Sequence, residues 1–148
     1  MKVLLAYDGS ANADKAFEWY FKNLHKDCYD VKVFSHVDKP DIPTSLFGGV
    51  PVLMYEEVQM MIKEHREKCL KLTEELNTKC KAYGEKIIAE VETTDEGAGH
   101  AICRHATDFE ADLIVTGTRG QGKVRRTILG SVSDYVIHHS KIPITVCH

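Results

Sequence analysis

The sequence predicts an α/β protein: one doubly wound, parallel, five-stranded sheet with helices on both faces. Short apolar runs of strand length alternate with longer segments whose apolar residues recur at helical spacing. The runs Val3–Tyr7 and Ala111–Thr116 are nearly continuous in apolar residues, as expected of strands buried on both faces. Strand and helix in alternation give right-handed crossovers and a parallel sheet covered on both sides.

Each element has its own signal. Val3–Tyr7 is the first strand and ends at Asp8. Ser10 has the chemistry of an N-cap for a helix with Ala13, Ala16, Phe17, Tyr20 and Leu24 on its apolar face. Val31–Val37 is the second strand. A connection punctuated by Pro40, Pro43, Gly48, Gly49 and Pro51 follows. A long helix is expected from Tyr55 to Tyr83, with Val58, Met61, Ile62, His65, Cys69, Leu72 and Leu76 facing inward and Gly84 ending it. Ile87, Ala89 and Val91 alternate with Ile88, Glu90 and Glu92 in a third strand. The helix from Gly97 to Phe109 turns Ala98, Ala101, Ile102, His105 and Phe109 inward. After the fourth strand, Ala111–Thr116, a glycine loop leads to a helix with Val132, Tyr135 and Val136 inward. Ile142–Cys147 is the last strand, and Pro143 near its start puts it at a sheet edge.

The 148 residues are read as one domain, 1–148. Composition is that of a globular protein, with 43% hydrophobic and 28% charged residues. A net charge of -3 and a pI near 6.2 argue against a nucleic-acid partner, which wants a basic face. No apolar run approaches the ~20 residues of a membrane span. The five cysteines are scattered without C-x-x-C spacing, which suits reduced thiols in the cytoplasm.

The chemistry concentrates late in the chain. Gly117-Thr118-Arg119-Gly120 is followed, after nine residues, by Gly130-Ser131-Val132-Ser133. The stretch begins where a strand ends and finishes where a helix begins. Glycines there let backbone N–H groups approach an anion, and a helix N-terminus adds unpaired donors and partial positive charge. From Leu113 through Ser133 there is no acidic residue, while Arg119, Lys123, Arg125 and Arg126 are present. Gly117, Gly122 and Lys123 have P-loop spacing, but Val124 stands where Ser or Thr must hold Mg²⁺, so that assignment is rejected. In a parallel sheet ligands bind beyond the strand ends where strand order reverses, which links Asp8 to the glycine loop if the first and fourth strands are neighbours.

On these residues the chain resembles the universal stress protein family over essentially its whole length. Gly117, Gly120, Gly130 and Ser131 match the G-x-x-G, nine residues, G-[ST] motif of its ATP-binding subgroup. Val3–Ser10, Ala111–Gly117 and Ile142–Val146 look like its first, fourth and last strands with their flanking turns. The resemblance implies strand order 3-2-1-4-5, a homodimer joined through the last strands, and ATP between the ends of strands one and four, with Mg²⁺ on the phosphates. It implies that Asp8 and Val37 hold the adenosine end. Gly117, Arg119 and Gly120 would meet ribose and phosphate, and Gly130, Ser131, Val132 and Ser133 would cradle phosphates. Ala6 and Arg119 depart from residues common in the family.

The expected function is therefore a cytoplasmic ATP-binding module for stress response or signalling, with neither a nucleic-acid nor a membrane partner. Two alternatives stand beside it: a slow ATP hydrolase and an ATP-independent dimeric scaffold. Hydrolysis needs a base to position water, and Asp8 is assigned to the adenosine end. His100, Cys103 and His105 form H-x-x-C-x-H, but they do not share one helix face, so no metal site is expected.

Overall fold

The computed structural model describes residues 1–42, 55–84, 86–118 and 129–148. Among these, β1 (Lys2–Ala6), α1 (Ala11–Asn23), β2 (Asp30–Asp38), α2 (Tyr55–Lys81), β3 (Ile87–Thr94), α3 (Ala98–Asp108), β4 (Leu113–Gly117), α4 (Ser131–His139) and β5 (Ile144–Cys147) follow in turn. The strands pair in parallel in the order β3-β2-β1-β4-β5. This is the predicted α/β sheet and the predicted order.

Alternation along the strands divides the interior in two. Val3, Leu5, Val31, Val33 and Val115 pack with Ala16, Phe17 and Tyr20 of α1 and Leu76 and Cys80 of α2. On the other face, Leu4, Phe34 and Ile114 pack with Ala101, Ile102 and Ala106 of α3 and Val136 of α4. Two faces buried at once explain why β1 and β4 read as unbroken apolar runs.

Local chemistry sets the helix ends. Ser10 caps α1, its hydroxyl accepting from the Ala13 N–H at 3.1 Å. Gly9, at φ 76, makes the turn from β1 into that cap in a region that favours glycine. Gly97 and Phe109 cap α3, one residue outside the helix at each end. The strand limits shift by one or two residues from the expected ones, and β5 is shorter, starting at Ile144 after Pro143.

One core expectation is corrected. Ile62 is 40% exposed. The inward stripe of α2 runs through Val58, Met61, His65, Cys69, Leu72, Leu76 and Cys80, and Ile62 lies one residue, about 100°, around the helix from Met61. Most of the Pro/Gly connection, 43–54, lies outside the described residues.

Candidate functional site

β1 and β4 are neighbours and β2 lies beside β1, so their carboxyl ends meet at one edge of the sheet. That juxtaposition follows from strand order: the chain leaves β1 toward β2 on one side and reaches β4 on the other. A cavity of about 60 Å³ lies there, lined by residues that include Ala6, Asp8, Phe34, His36, Thr116 and Gly117. Ile102 and Val132 close it from the α3 and α4 side.

Two larger spaces share walls with this cavity. Along the end of β2 lies a cleft of about 410 Å³ bounded by Asp8, Gly9, Val37, Asp38 and the α2 residues Lys68 and Lys71. On the other side of Val132 is a groove of about 500 Å³ between the first turns of α3 and α4, lined by Gly97, Ala98, His100, Ser131 and Tyr135. Ala98 and Val132 border all three spaces.

Most of the expected site residues meet here. Asp8, Gly117, Val132 and Ser133 line the inner cavity, Val37 borders the cleft, and Ser131 borders the groove. Gly130 is the N-cap of α4. Arg119 and Gly120, with the rest of the basic loop, 121–128, lie outside the described residues.

Individual side chains have definite structural work. The Asp8 carboxylate accepts from the Ser10 N–H at 3.0 Å and so shapes the β1–α1 turn. Ser133 is buried, and its hydroxyl accepts from the Gly130 N–H at 3.1 Å and lies 3.0 Å from the Thr118 carbonyl oxygen, to which it donates. It therefore ties the start of α4 to the end of β4. The N-cap glycine supplies no side chain to the first-turn N–H groups of α4, and Ser131 stays exposed beside them. Gly117 is buried against the first turn of α1, where a Cβ would meet the Asn12 backbone at 2.8 Å.

Several cleft residues carry no signal in the sequence. His36 is nearly buried at the end of β2, and its Nε2 lies 3.0 Å from Thr94 Oγ1 at the end of β3. Thr116 adds a buried hydroxyl to the cavity. Only the even-numbered alternation of β2, which puts Phe34 and His36 on one face, hints at the first. Beside the cleft, Tyr7 donates to Asp14 Oδ1 at 2.7 Å, and Lys79 donates to the same oxygen. Burial, aided by this hydrogen bond to a carboxylate, pushes the Tyr7 hydroxyl well above its ordinary value. Burial also works to raise Asp14, but the Lys79 and Tyr7 hydrogen bonds outweigh it and hold the carboxyl below its usual range.

The residues of the H-x-x-C-x-H motif turn to different partners. His105 is buried, stacked on Phe34 with ring centroids 4.0 Å apart, and its Nε2 lies 2.8 Å from Glu92 Oε2. His100 pairs with Glu96. Cys103 is partly buried, which pushes its thiol up. Arg104 binds Glu92 and Glu96, completing an ionic network between α3 and β3. Among the described residues no three His, Cys, Asp or Glu side chains are grouped as a metal site.

This strand order, with the cleft at the ends of β1 and β4, accompanies a family match along the entire chain, residues 1–148. The chain belongs to the universal stress protein family. Universal stress protein YxiE of Bacillus subtilis is 27% identical over 145 residues, covering 98% of this chain and 97% of its own length. The fold is shared with hypothetical protein MJ0577 at TM-score 0.78 and 20% identity, over 99% of this chain and 94% of that one. A universal stress protein family protein from Arabidopsis thaliana, solved with AMP bound, gives TM-score 0.62 at 22% identity, over 99% of this chain and 90% of that one. As a universal stress protein this chain has no helix, among its described residues, long and apolar enough to cross a membrane.

Proposed function

We propose that this universal stress protein binds ATP in the cleft at the carboxyl ends of β1 and β4 and serves as a nucleotide-dependent stress-response module. The observation that carries the proposal is an apolar-walled cavity that shares Ala98 and Val132 with the groove at the start of α4. A base and sugar need the first, and phosphates need the second. Ala6, Phe34, Ile102 and Val132 give the cavity an apolar lining, while His36 and Thr116 add a few polar groups, a composition that suits a nucleoside.

The phosphates fit the first turn of α4. Its N–H groups have no cap side chain competing for them, the helix dipole favours negative charge there, and Ser131 adds an exposed hydroxyl. Asp8 and Val37 are assigned to the adenosine end, Gly117, Arg119 and Gly120 to ribose and phosphate, and Gly130, Ser131, Val132 and Ser133 to the phosphates. Within that set the Ser133 hydroxyl is already engaged by Gly130 and Thr118, so its part is to hold the backbone donors in place. Mg²⁺ rides on the phosphates in this scheme. The AMP bound by the Arabidopsis relative supports an adenine nucleotide as the ligand class.

The proposal extends to the whole of residues 1–148 as one nucleotide-binding domain, to a cytoplasmic location, which suits five free thiols, and to a homodimer joined through β5. That strand is a sheet edge, and an edge presents unpaired backbone groups to a second copy. Denaturing the purified protein and identifying the nucleotide released tests the function. ATP supports a stable binder, ADP supports the slow hydrolase instead, and no nucleotide retained after incubation with excess ATP contradicts stable binding.

A further inference from the structure

Away from the cleft, α2 and β3 bring together a thiol, an imidazole and a hydroxyl. Cys69 Sγ lies 3.6 Å from His65 Nε2 and 3.5 Å from Thr93 Oγ1, and the last two atoms are 3.4 Å apart. His65 and Cys69 are four residues apart on one face of α2, so the helix itself sets their approach. Thr93 reaches them from β3, which fixes the pair against the sheet. A thiol and a base in hydrogen-bond contact are the arrangement that generates a nucleophilic thiolate.

We propose that Cys69 is a site of reversible oxidation by hydroperoxides, with His65 as the base that takes its proton. The thiol proton passes to His65 Nε2, and the thiolate attacks the distal oxygen of the hydroperoxide. The O–O bond breaks, sulfur loses two electrons and becomes a sulfenic acid, and the departing alkoxide or hydroxide takes the proton back from His65. A low-molecular-weight thiol then condenses with the sulfenic acid, forming a mixed disulfide and releasing water. A second such thiol exchanges with the mixed disulfide and restores the cysteine.

The other cysteines make a built-in comparison. Burial raises the thiols of Cys103 and Cys147 and pushes Cys80 up to about 11, all away from reactivity. Cys28 is exposed, and the imidazole nearest it in sequence, His25, turns its Nδ1 to the Tyr20 hydroxyl at 3.4 Å. Access alone therefore favours Cys28, and base assistance favours Cys69, which is partly exposed. The modification also has a place to be felt. Lys68 and Leu72, on either side of Cys69 in α2, border the cleft with Val37, and Val37 is the strand partner of Thr93.

The test treats the intact chain with hydrogen peroxide and dimedone and reads each cysteine by mass spectrometry. Cys69 is expected to be labelled about tenfold faster than Cys28 in the same molecule, a comparison that needs no variant. His65→Ala, checked by circular dichroism, is expected to bring Cys69 down to the Cys28 rate, and added glutathione is expected to convert the sulfenic acid to a mixed disulfide. Labelling of Cys28 at or above the rate of Cys69 overturns the proposal, as does an unchanged Cys69 rate in folded His65→Ala.

Discussion

The Cβ that Gly117 lacks would lie 2.8 Å from the Asn12 carbonyl oxygen and 2.9 Å from its carbonyl carbon. The end of β4 is therefore seated directly on the first turn of α1, and Gly117 and Ala13 at this contact line the inner cavity. Gly117→Ala forces one backbone away from the other. It is expected to cost about 1–3 kcal/mol of stability, as overpacking does. Urea denaturation measures it, and a midpoint equal to wild type contradicts the packing argument.

The two serines at the start of α4 are expected to separate stability from binding. Ser133 is buried and bonded to Gly130 and Thr118, so Ser133→Ala should lower stability by about 1–2 kcal/mol. Exposed Ser131 has less folded structure to lose. Ser131→Ala should keep the stability of wild type and weaken ATP by about tenfold, the worth of one hydrogen bond to a charged group. Paired denaturation and calorimetry on both variants check the contrast.

His105→Ala should lower stability by about 1–3 kcal/mol, because it removes a buried ring stacked on Phe34 and the partner of Glu92. His105 does not line the cavity, so the folded variant should bind ATP within about threefold of wild type. Thermal unfolding and calorimetry test the two halves separately.

Acid should weaken the fold through specific carboxyls. Hydrogen bonds from Lys79 and Tyr7 outweigh burial at Asp14, and those from His105 and Arg104 outweigh it at Glu92, so both carboxyls sit below their ordinary values of 3.8 and 4.5. Such groups hold fewer protons in the folded chain than in the unfolded one. Their stabilisation is complete above the ordinary value and is lost as pH falls through the folded value. Denaturation midpoints should therefore fall as pH drops below about 4.5, and Asp14→Asn and Glu92→Gln should each flatten that fall. A pH profile unchanged in both variants contradicts the assignment.

Where one physical signal dominates, the fold is legible from residues alone. The Ser10 cap follows from side-chain chemistry, and β1 and β4 follow from burial on both faces. Ile62 misleads because α2 carries more apolar residues than its narrow inward stripe can bury. The cleft is legible as far as turns and helix starts go, through Asp8, Gly117 and Ser131. His36, Thr116, Lys68 and Lys71 are not, because each enters the cleft through strand pairing or helix packing, and in sequence they look like ordinary strand and helix residues. Glu90 and Glu92 read as outward positions of an alternating strand, yet His105 of α3 reaches both, at 3.7 Å and 2.8 Å.

The β5 edge makes a separate prediction about assembly. Light scattering at micromolar concentration should give twice the chain mass of 16.7 kDa. A charged substitution in the edge strand, Thr145→Lys, should move the mass toward the monomer. A wild-type monomer over the whole accessible range contradicts pairing through β5.

Calorimetric titration of the folded chain with ATP and Mg²⁺ tests nucleotide binding most directly, with Gly130→Val as its control. Wild type should saturate at one nucleotide per chain below millimolar ATP. Gly130→Val, folded by circular dichroism, should lose most of that binding, because the new side chain crowds the donors at the start of α4. Saturable binding that survives Gly130→Val unchanged, or no saturation of folded wild type at about 1 mM ATP, contradicts an ATP site at the ends of β1 and β4.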